Sequence, residues 1–319
     1  TLPTGIDKNG KDRTAVCCLS SLNLETYDEW KDDKNFLEDV MRFLDNILSE
    51  FIEKAPDSFK DAKYSAHRER SVGLGVMGFH SFLQKNMIPF ESVMAKVWNT
   101  KIFKYIDQEV NKASKKLAEE RGACPDAAEY GIMERFSNKT AIAPTASISI
   151  ICGGSSPGIE PIAANSYTHK TLSGSFNVRN KFLEELLEKY GKNNSDVWSS
   201  ITTNQGSIQH LNFLTQEEKD VFKTAFELDQ RWLIDLSADR TPYISQAQSL
   251  NVFIPADVHK RDLHQIHFQA WKKGLKSLYY CRSKSIQRAE VVSKSFVESS
   301  AEKKETNQTT NYEECLSCQ

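Results

Sequence analysis

The stretch Thr14-Ala15-Val16-Cys17-Cys18-Leu19-Ser20-Ser21-Leu22-Asn23-Leu24 is rich in strand formers, and the helical segment after it begins the pattern that decides the fold class. Asn35 with Glu38 resembles a capping box. Phe36, Val40, Leu44, Ile47, Leu48 and Phe51 then keep helical spacing until Pro56. The same alternation recurs down the chain. A long helix is predicted from Ser92 to Glu120, with Val97, Ile102, Ile106, Val110 and Leu117 as its apolar stripe and Gly122 as its stop. A short strand, Thr140 to Ala143, enters a loop dense in Ser, Thr, Gly and Pro that runs from Pro144 to Pro161. Helix is expected over Asn180 to Tyr190. Thr215 with Glu218 opens another, through Val221, Phe222, Ala225, Trp232 and Leu236. Residues 257–273 read as helix and 275–281 as strand. Helices alternating with short apolar strands predict an α/β fold with parallel strands.

The bulk numbers narrow the function. The 319 residues are 39% hydrophobic, enough for a large core. A net charge of -2 argues against a nucleic-acid-binding protein, which carries a strongly basic face. No apolar run reaches the length of a membrane span, and no secretory signal is recognised. Seven cysteines, an odd number without a framework pattern, point to a reducing compartment, so the chain is expected in the cytoplasm. Residue 1 is Thr, so the chain reads as a piece of something longer or as a processed product.

Residues 290–319 are polar and nearly free of large apolar side chains, which predicts a mobile tail. It ends in Tyr312-Glu313-Glu314-Cys315-Leu316-Ser317-Cys318-Gln319. Cys315 and Cys318 have metal-ligand spacing, but no second pair completes a zinc site, so no metal is expected. A dithiol on a mobile tether suits thiol–disulfide exchange instead.

Four other stretches carry possible chemistry. Gly73-Leu74-Gly75-Val76-Met77-Gly78 matches the dinucleotide pattern. The charged segment Lys63 to Arg70 before it shows no strand, so these glycines are read as letting a helix approach a neighbour. Ala143-Pro144-Thr145-Ala146-Ser147-Ile148-Ser149 suits either a plain turn or an anion held by backbone N–H groups. Tyr279-Tyr280 ends a strand, where alternation places one ring in the core and one outside. Cys17-Cys18 sits on the first strand. Burial as a small hydrophobe is the default for at least one of the two, and for Cys124, Cys152 and Cys281.

Taken in order, these pieces resemble the C-terminal half of the large (catalytic) subunit of aerobic class I ribonucleotide reductase. Some of the wording is similar to versions from T4-like bacteriophages, for which the location would be the host cytoplasm. The resemblance spans nearly the whole chain and implies a role for each motif. Ala15 to Leu24 looks like the strand carrying one member of the active-site redox pair, with Cys17 on the redox position. Arg70 to Phe79 looks like the family's Gly-rich helical stretch. Pro144, Thr145, Ala146, Ser147 and Ile148, with Gly158-Ile159-Glu160-Pro161, look like the loop for the substrate diphosphate. Tyr279 and Tyr280 look like the paired tyrosines of a radical relay, and Cys315 and Cys318 like the shuttle thiols.

By that resemblance the partners are a ribonucleoside diphosphate, a small subunit supplying a radical from a diiron-type centre, and thioredoxin or glutaredoxin. The family's Asn-x-Cys-x-Glu loop, the partner of Cys17 and the ATP and dNTP effector sites have no counterpart in this sequence. The expectation is therefore the C-terminal half of a ten-stranded α/β barrel over residues 1–289 with flanking helices, followed by a flexible shuttle tail over 290–319. Such a chain would work docked to an N-terminal fragment of the large subunit and bind no cofactor of its own. A cobalamin-dependent relative and an inactive fragment retaining the fold are the alternatives.

Overall fold

Strand Leu19–Asn23 pairs in parallel with strand Gly73–Met77, from Leu19 opposite Gly73 to Asn23 opposite Met77. Parallel neighbours need a long crossover, and here helices Phe36–Lys54 and Lys60–Glu69 supply it. Isolated parallel bridges extend the order, Leu74 to Thr140 and Ile142 to Gln248. A second parallel pair, Val252–Ile254 with Cys281–Ser283, is joined by helix Lys260–Lys272. The computed structural model describes residues 2–171 and 174–283. Within them the strands form four two-stranded sheets, and the fold is α/β as expected, without a closed barrel among these residues.

Two antiparallel hairpins complete the strand set: Gly5–Ile6 with Asp12–Arg13, and Ser166–Thr171 with Gly174–Arg179. The second is not expected from the sequence. Its first strand, Ser-Tyr-Thr-His-Lys-Thr, lacks the apolar alternation that marks a half-buried strand.

Helix Val93–Arg121 shows how sequence makes an element here. Ser92 caps it by accepting from the Ala95 N–H at 3.1 Å, and Gly122 ends it at φ 86°. Ile102, Ile106, Val110 and Leu117 are buried, each worth about 2 kcal/mol in transferred surface. Val97 is half-exposed instead. Five residues before Ile102, at about 100° per residue, it falls well off the stripe. Ile47 likewise lies at the exposed edge of its helix.

Other expectations are corrected. Asn35 does not cap by its side chain, because its backbone is already helical. Glu38 pairs with Arg42 and Lys116 instead. The capping box at Thr215 and Glu218 is present, but its helix stops at Val221 and a new one, Gln230–Arg240, starts from Asp229. The two pieces serve different cores. Val221 and Phe222 pack with Leu187, Trp198 and Ile201, whereas Leu233, Ile234 and Leu236 join the main core, which one straight helix cannot do.

The glycine stretch is a strand and not a helix. All of Gly73–Met77 is buried. A Cβ on Gly75 would lie under 3.0 Å from the Ala141 carbonyl oxygen, and one on Gly73 would meet Leu19 and Ala141. The glycines do permit close approach, as expected, but of the Thr140 segment to a strand. That segment is bridged at single residues and is not a continuous strand.

Behind the sheet, Asp45 is fully buried and bound by Arg70, Arg121 and Arg135, with Arg121 at 2.7 Å and Arg135 at 2.9 Å. Burial pulls its carboxyl upward. The Arg135 hydrogen bond, the charge of Arg70 and the Arg121 hydrogen bond outweigh this and hold it below the usual carboxylate range. The cluster ties the first two long helices to the chain that leads into the Thr140 segment.

Candidate active site

In doubly wound and barrel folds, ligands gather at the carboxyl ends of parallel strands. Of the three predicted groups described, the loop is fastened at that end, whereas the cysteine pair and the tyrosine pair lie just before the strands Leu19–Asn23 and Cys281–Ser283.

The first is the cysteine pair. Cys17 and Cys18 precede the ladder instead of lying on the strand, although the Gly73 N–H still reaches the Cys18 carbonyl at 2.9 Å. In extended backbone neighbouring side chains face opposite ways. Cys18 is buried with its thiol directed to the Leu44 carbonyl at 3.8 Å, and burial pushes that thiol up. It is an inert packing group. Cys17 is exposed and available for exchange. Of the other cysteines expected to be buried, Cys124 is, but Cys152 and Cys281 are exposed, because both lie where an element begins or ends at the surface.

The second is the Pro144–Pro161 loop. Thr145 sits in the left-handed region at φ 56° and ψ 21°, an unusual place for a β-branched residue. Its Oγ1 accepts from the Gly158 N–H at 2.7 Å, which closes the loop. Helix Ala146–Ile151 then begins inside the stretch expected to be plain loop. Its first-turn N–H groups, on Ala146, Ser147 and Ile148, are the ones a helix leaves without an intrahelical acceptor. The return limb is fastened to the sheet. Ser156 and Ser81 exchange hydrogen bonds, N–H to Oγ, at 2.8 and 3.1 Å, and the Gly78 N–H donates to the Ser156 carbonyl at 2.7 Å. The Ser155 hydroxyl reaches Glu25 at 3.0 Å and Asn23 at 3.1 Å. The loop is therefore held at the carboxyl ends of both central parallel strands, one of which leads back to Cys17.

The third is the tyrosine pair. The Tyr279 N–H donates to the Leu250 carbonyl and the Val252 N–H to the Tyr280 carbonyl, both at 2.9 Å. Regular strand begins only at Cys281, so strict alternation does not apply. Instead of one core ring and one exposed ring, both are 40–45% exposed, with centroids 4.1 Å apart and planes 50° apart. Two phenols in van der Waals contact offer a short path for an electron.

Two residues to which sequence reasoning assigns no role of their own join these groups. The Glu160 carboxylate is buried and accepts from the Asn251 N–H at 3.3 Å. Asn251 Oδ1 in turn accepts from the Tyr280 N–H at 2.9 Å. Burial pushes the Glu160 carboxyl up to about 7, opposed by its hydrogen bond with Asn251 and by Arg282. The signal available for Glu160 is a lone carboxylate in the Gly-Pro loop, at Gly158-Ile159-Glu160-Pro161.

Cys315 and Cys318 lie outside the described residues. Among the described residues no three His, Cys, Asp or Glu side chains converge as metal ligands. A cavity of about 310 Å³ is bordered by Asn204, Ser207, Thr224 and Glu227 and contains none of the predicted residues.

Known proteins are similar to this chain in sequence and fold. The family model for the ribonucleotide reductase barrel domain matches residues 6–130 and 126–281. The ribonucleoside-diphosphate reductase large subunit of Invertebrate iridescent virus 6 is 51% identical over 285 residues, 88% of this chain and 30% of that protein. That of Invertebrate iridescent virus 3 is 48% identical, covering 86% of this chain and 44% of the relative. Among solved structures, the alpha subunit of Actinobacillus ureae class Id ribonucleotide reductase superposes with a TM-score of 0.80 at 41% identity, over 89% of this chain and 52% of that one. The chain thus spans 30–52% of the length of these relatives. A match that runs through the Cys17 segment, the closed loop and the tyrosine pair places this chain in the ribonucleotide reductase barrel-domain family.

Proposed function

We propose that this chain forms part of the catalytic subunit of a class I ribonucleoside-diphosphate reductase, with the substrate diphosphate on its loop. The observation that carries the proposal is the closed loop, hydrogen-bonded on one side to Asn23 at the end of strand Leu19–Asn23 and linked on the other, through Glu160 and Asn251, to the Tyr280 N–H. Thr145, Ala146, Ser147 and Ile148, led in by Pro144, offer backbone N–H groups and hydroxyls to phosphate oxygens. Tyr280 and Tyr279 pass an electron and a proton between the small subunit's radical and a cysteine on the rest of the large subunit.

Cys17 supplies reducing equivalents. The 2′ hydroxyl leaves as water, C2′ gains hydrogen, and Cys17 joins a second thiol in a disulfide, so two electrons pass from sulfur to the sugar. Cys315 and Cys318 restore the pair by exchange and are themselves reduced by thioredoxin or glutaredoxin. Residues 1–289 would complete a ten-stranded barrel with the N-terminal part of the large subunit, and 290–319 would serve as the shuttle tail. That N-terminal part, the small subunit with its diiron-type radical and the ribonucleoside diphosphate are the partners of this reading, and the cytoplasm its setting. ATP and dNTP effectors bind the N-terminal part. The adjoining tyrosine rings favour this reading over a cobalamin reductase, which needs no relay between subunits.

The test is an assay of the complete enzyme, wild type and Thr145→Ala, with a ribonucleoside diphosphate. Wild type should yield the deoxyribonucleoside diphosphate. Thr145→Ala removes the acceptor that closes the loop and should raise KM ~10-fold, the value of one hydrogen bond to a charged-ligand cradle. Its kcat should change less. Absence of deoxy product from wild type overturns the proposal.

A further inference from the structure

Glu160 is a buried carboxylate of the loop, linked through Asn251 to the Tyr280 N–H, and the reaction proposed for this chain does not use it. It lies two residues past Gly158, whose N–H closes the loop onto Thr145 at 2.7 Å. Its carboxylate accepts from the Asn251 N–H, and Asn251 Oδ1 holds the Tyr280 N–H at 2.9 Å. Asn251 and Glu160 are both buried. Through these contacts the backbone position of Tyr280 is set from the same loop that would hold the substrate, and not only by its own strand.

We propose that Glu160 is a positioning residue for the tyrosine pair, acting through Asn251 to fix Tyr280 relative to the diphosphate loop. The inference rests on the relay reading of Tyr279 and Tyr280. Electron passage between two rings at 4.1 Å is sensitive to small displacements. A 1 Å shift from a residue away from the chemistry can cost on the order of 100-fold in rate. A residue that held the loop for packing alone would act on diphosphate binding and on stability as much as on turnover. A residue that positions the relay acts on kcat.

The experiment uses the complete enzyme, with its small subunit, and compares wild type, Glu160→Ala, Glu160→Gln and Tyr280→Phe. Glu160→Ala removes the acceptor for the Asn251 N–H, and kcat should fall ~10–100-fold with KM for the diphosphate within about twofold of wild type. Glu160→Gln keeps an oxygen acceptor and should restore most of the turnover. If Glu160→Ala does not fold, Asn251→Ala replaces it with the same expectations, since it deletes the acceptor for the Tyr280 N–H. Unchanged kcat in the alanine variant overturns the proposal. So does a glutamine variant as impaired as the alanine one, or an equal loss in KM and kcat. Tyr280→Phe separates the two levels: turnover retained there defeats the relay reading itself, whereas turnover lost there with Glu160→Ala unaffected defeats only the role of Glu160.

Discussion

Tyr280→Phe should bring deoxynucleotide formation in the complete enzyme down by at least ~10⁴-fold while diphosphate binding stays within about twofold. The substitution deletes one oxygen and its proton. The ring keeps its size and its contact with Tyr279 at 4.1 Å, so packing loses almost nothing. The Tyr280 N–H bond to Asn251 and the Tyr280 carbonyl bond to Val252 belong to the backbone and persist. What disappears is the only group at this position that can give up a proton and an electron together. Binding should be spared because the cradle at Thr145 is formed by other residues. Titration calorimetry with a ribonucleoside diphosphate and a turnover assay on the same preparation read the two quantities. Turnover above about a tenth of wild type would show that no relay runs through this ring, and a cobalamin-type reductase would then fit better.

Gly75→Ala should strongly destabilise the fold. The strand Gly73–Met77 is buried throughout, with Leu19–Asn23 on one edge and the Thr140 segment on the other. The added methyl would fall within 3.0 Å of the Ala141 carbonyl oxygen, a backbone atom that cannot swing aside. Relief requires the Thr140 segment to move off the strand, breaking the Leu74 N–H bond to Lys139 and the Ala141 N–H bond to Leu74. The cost is placed at about 4–5 kcal/mol, the upper end of single-substitution effects, against a total stability of roughly 5–15 kcal/mol. Gly10→Ala is the control. Gly10 is in a left-handed conformation, but nothing lies within 4 Å of an added Cβ, so only backbone strain of about 1–2 kcal/mol is expected. Thermal melts of the two variants decide it: equal midpoints would remove the steric account of this strand.

The parallel α/β class is legible because crossover helices advertise themselves. Phe36 to Lys54 and Val93 to Arg121 carry long periodic stripes, and Ser92 and Gly122 bound the second one within a residue. The glycine strand is not legible, because three glycines in six residues erase the alternation that marks a strand, and their reason for being there is a neighbour distant in sequence, Ala141. The hairpin at Ser166 escapes for want of apolar residues. At the site, the contrast between Cys17 and Cys18 follows from two adjacent thiols in extended chain, where one must face the core. The tyrosine pair runs the other way. Alternation predicts opposed rings, and the irregular backbone before Cys281 brings them together. Asn251 and Glu160 cannot be found by spacing, since their connection exists only once the loop and the last strand pair have been brought side by side.

The state of Cys17 after one turnover decides whether this chain carries one half of the reducing pair. The complete enzyme, fully reduced and freed of external reductant, is mixed with a ribonucleoside diphosphate in a form whose tail thiols Cys315 and Cys318 are replaced by serine. After quenching and alkylation, deoxynucleotide and modified peptides are counted by mass spectrometry. About one deoxynucleotide per active site is expected, with Cys17 in a disulfide and Cys18, buried against Leu44, still a thiol. Deoxynucleotide formed with Cys17 still free would contradict it.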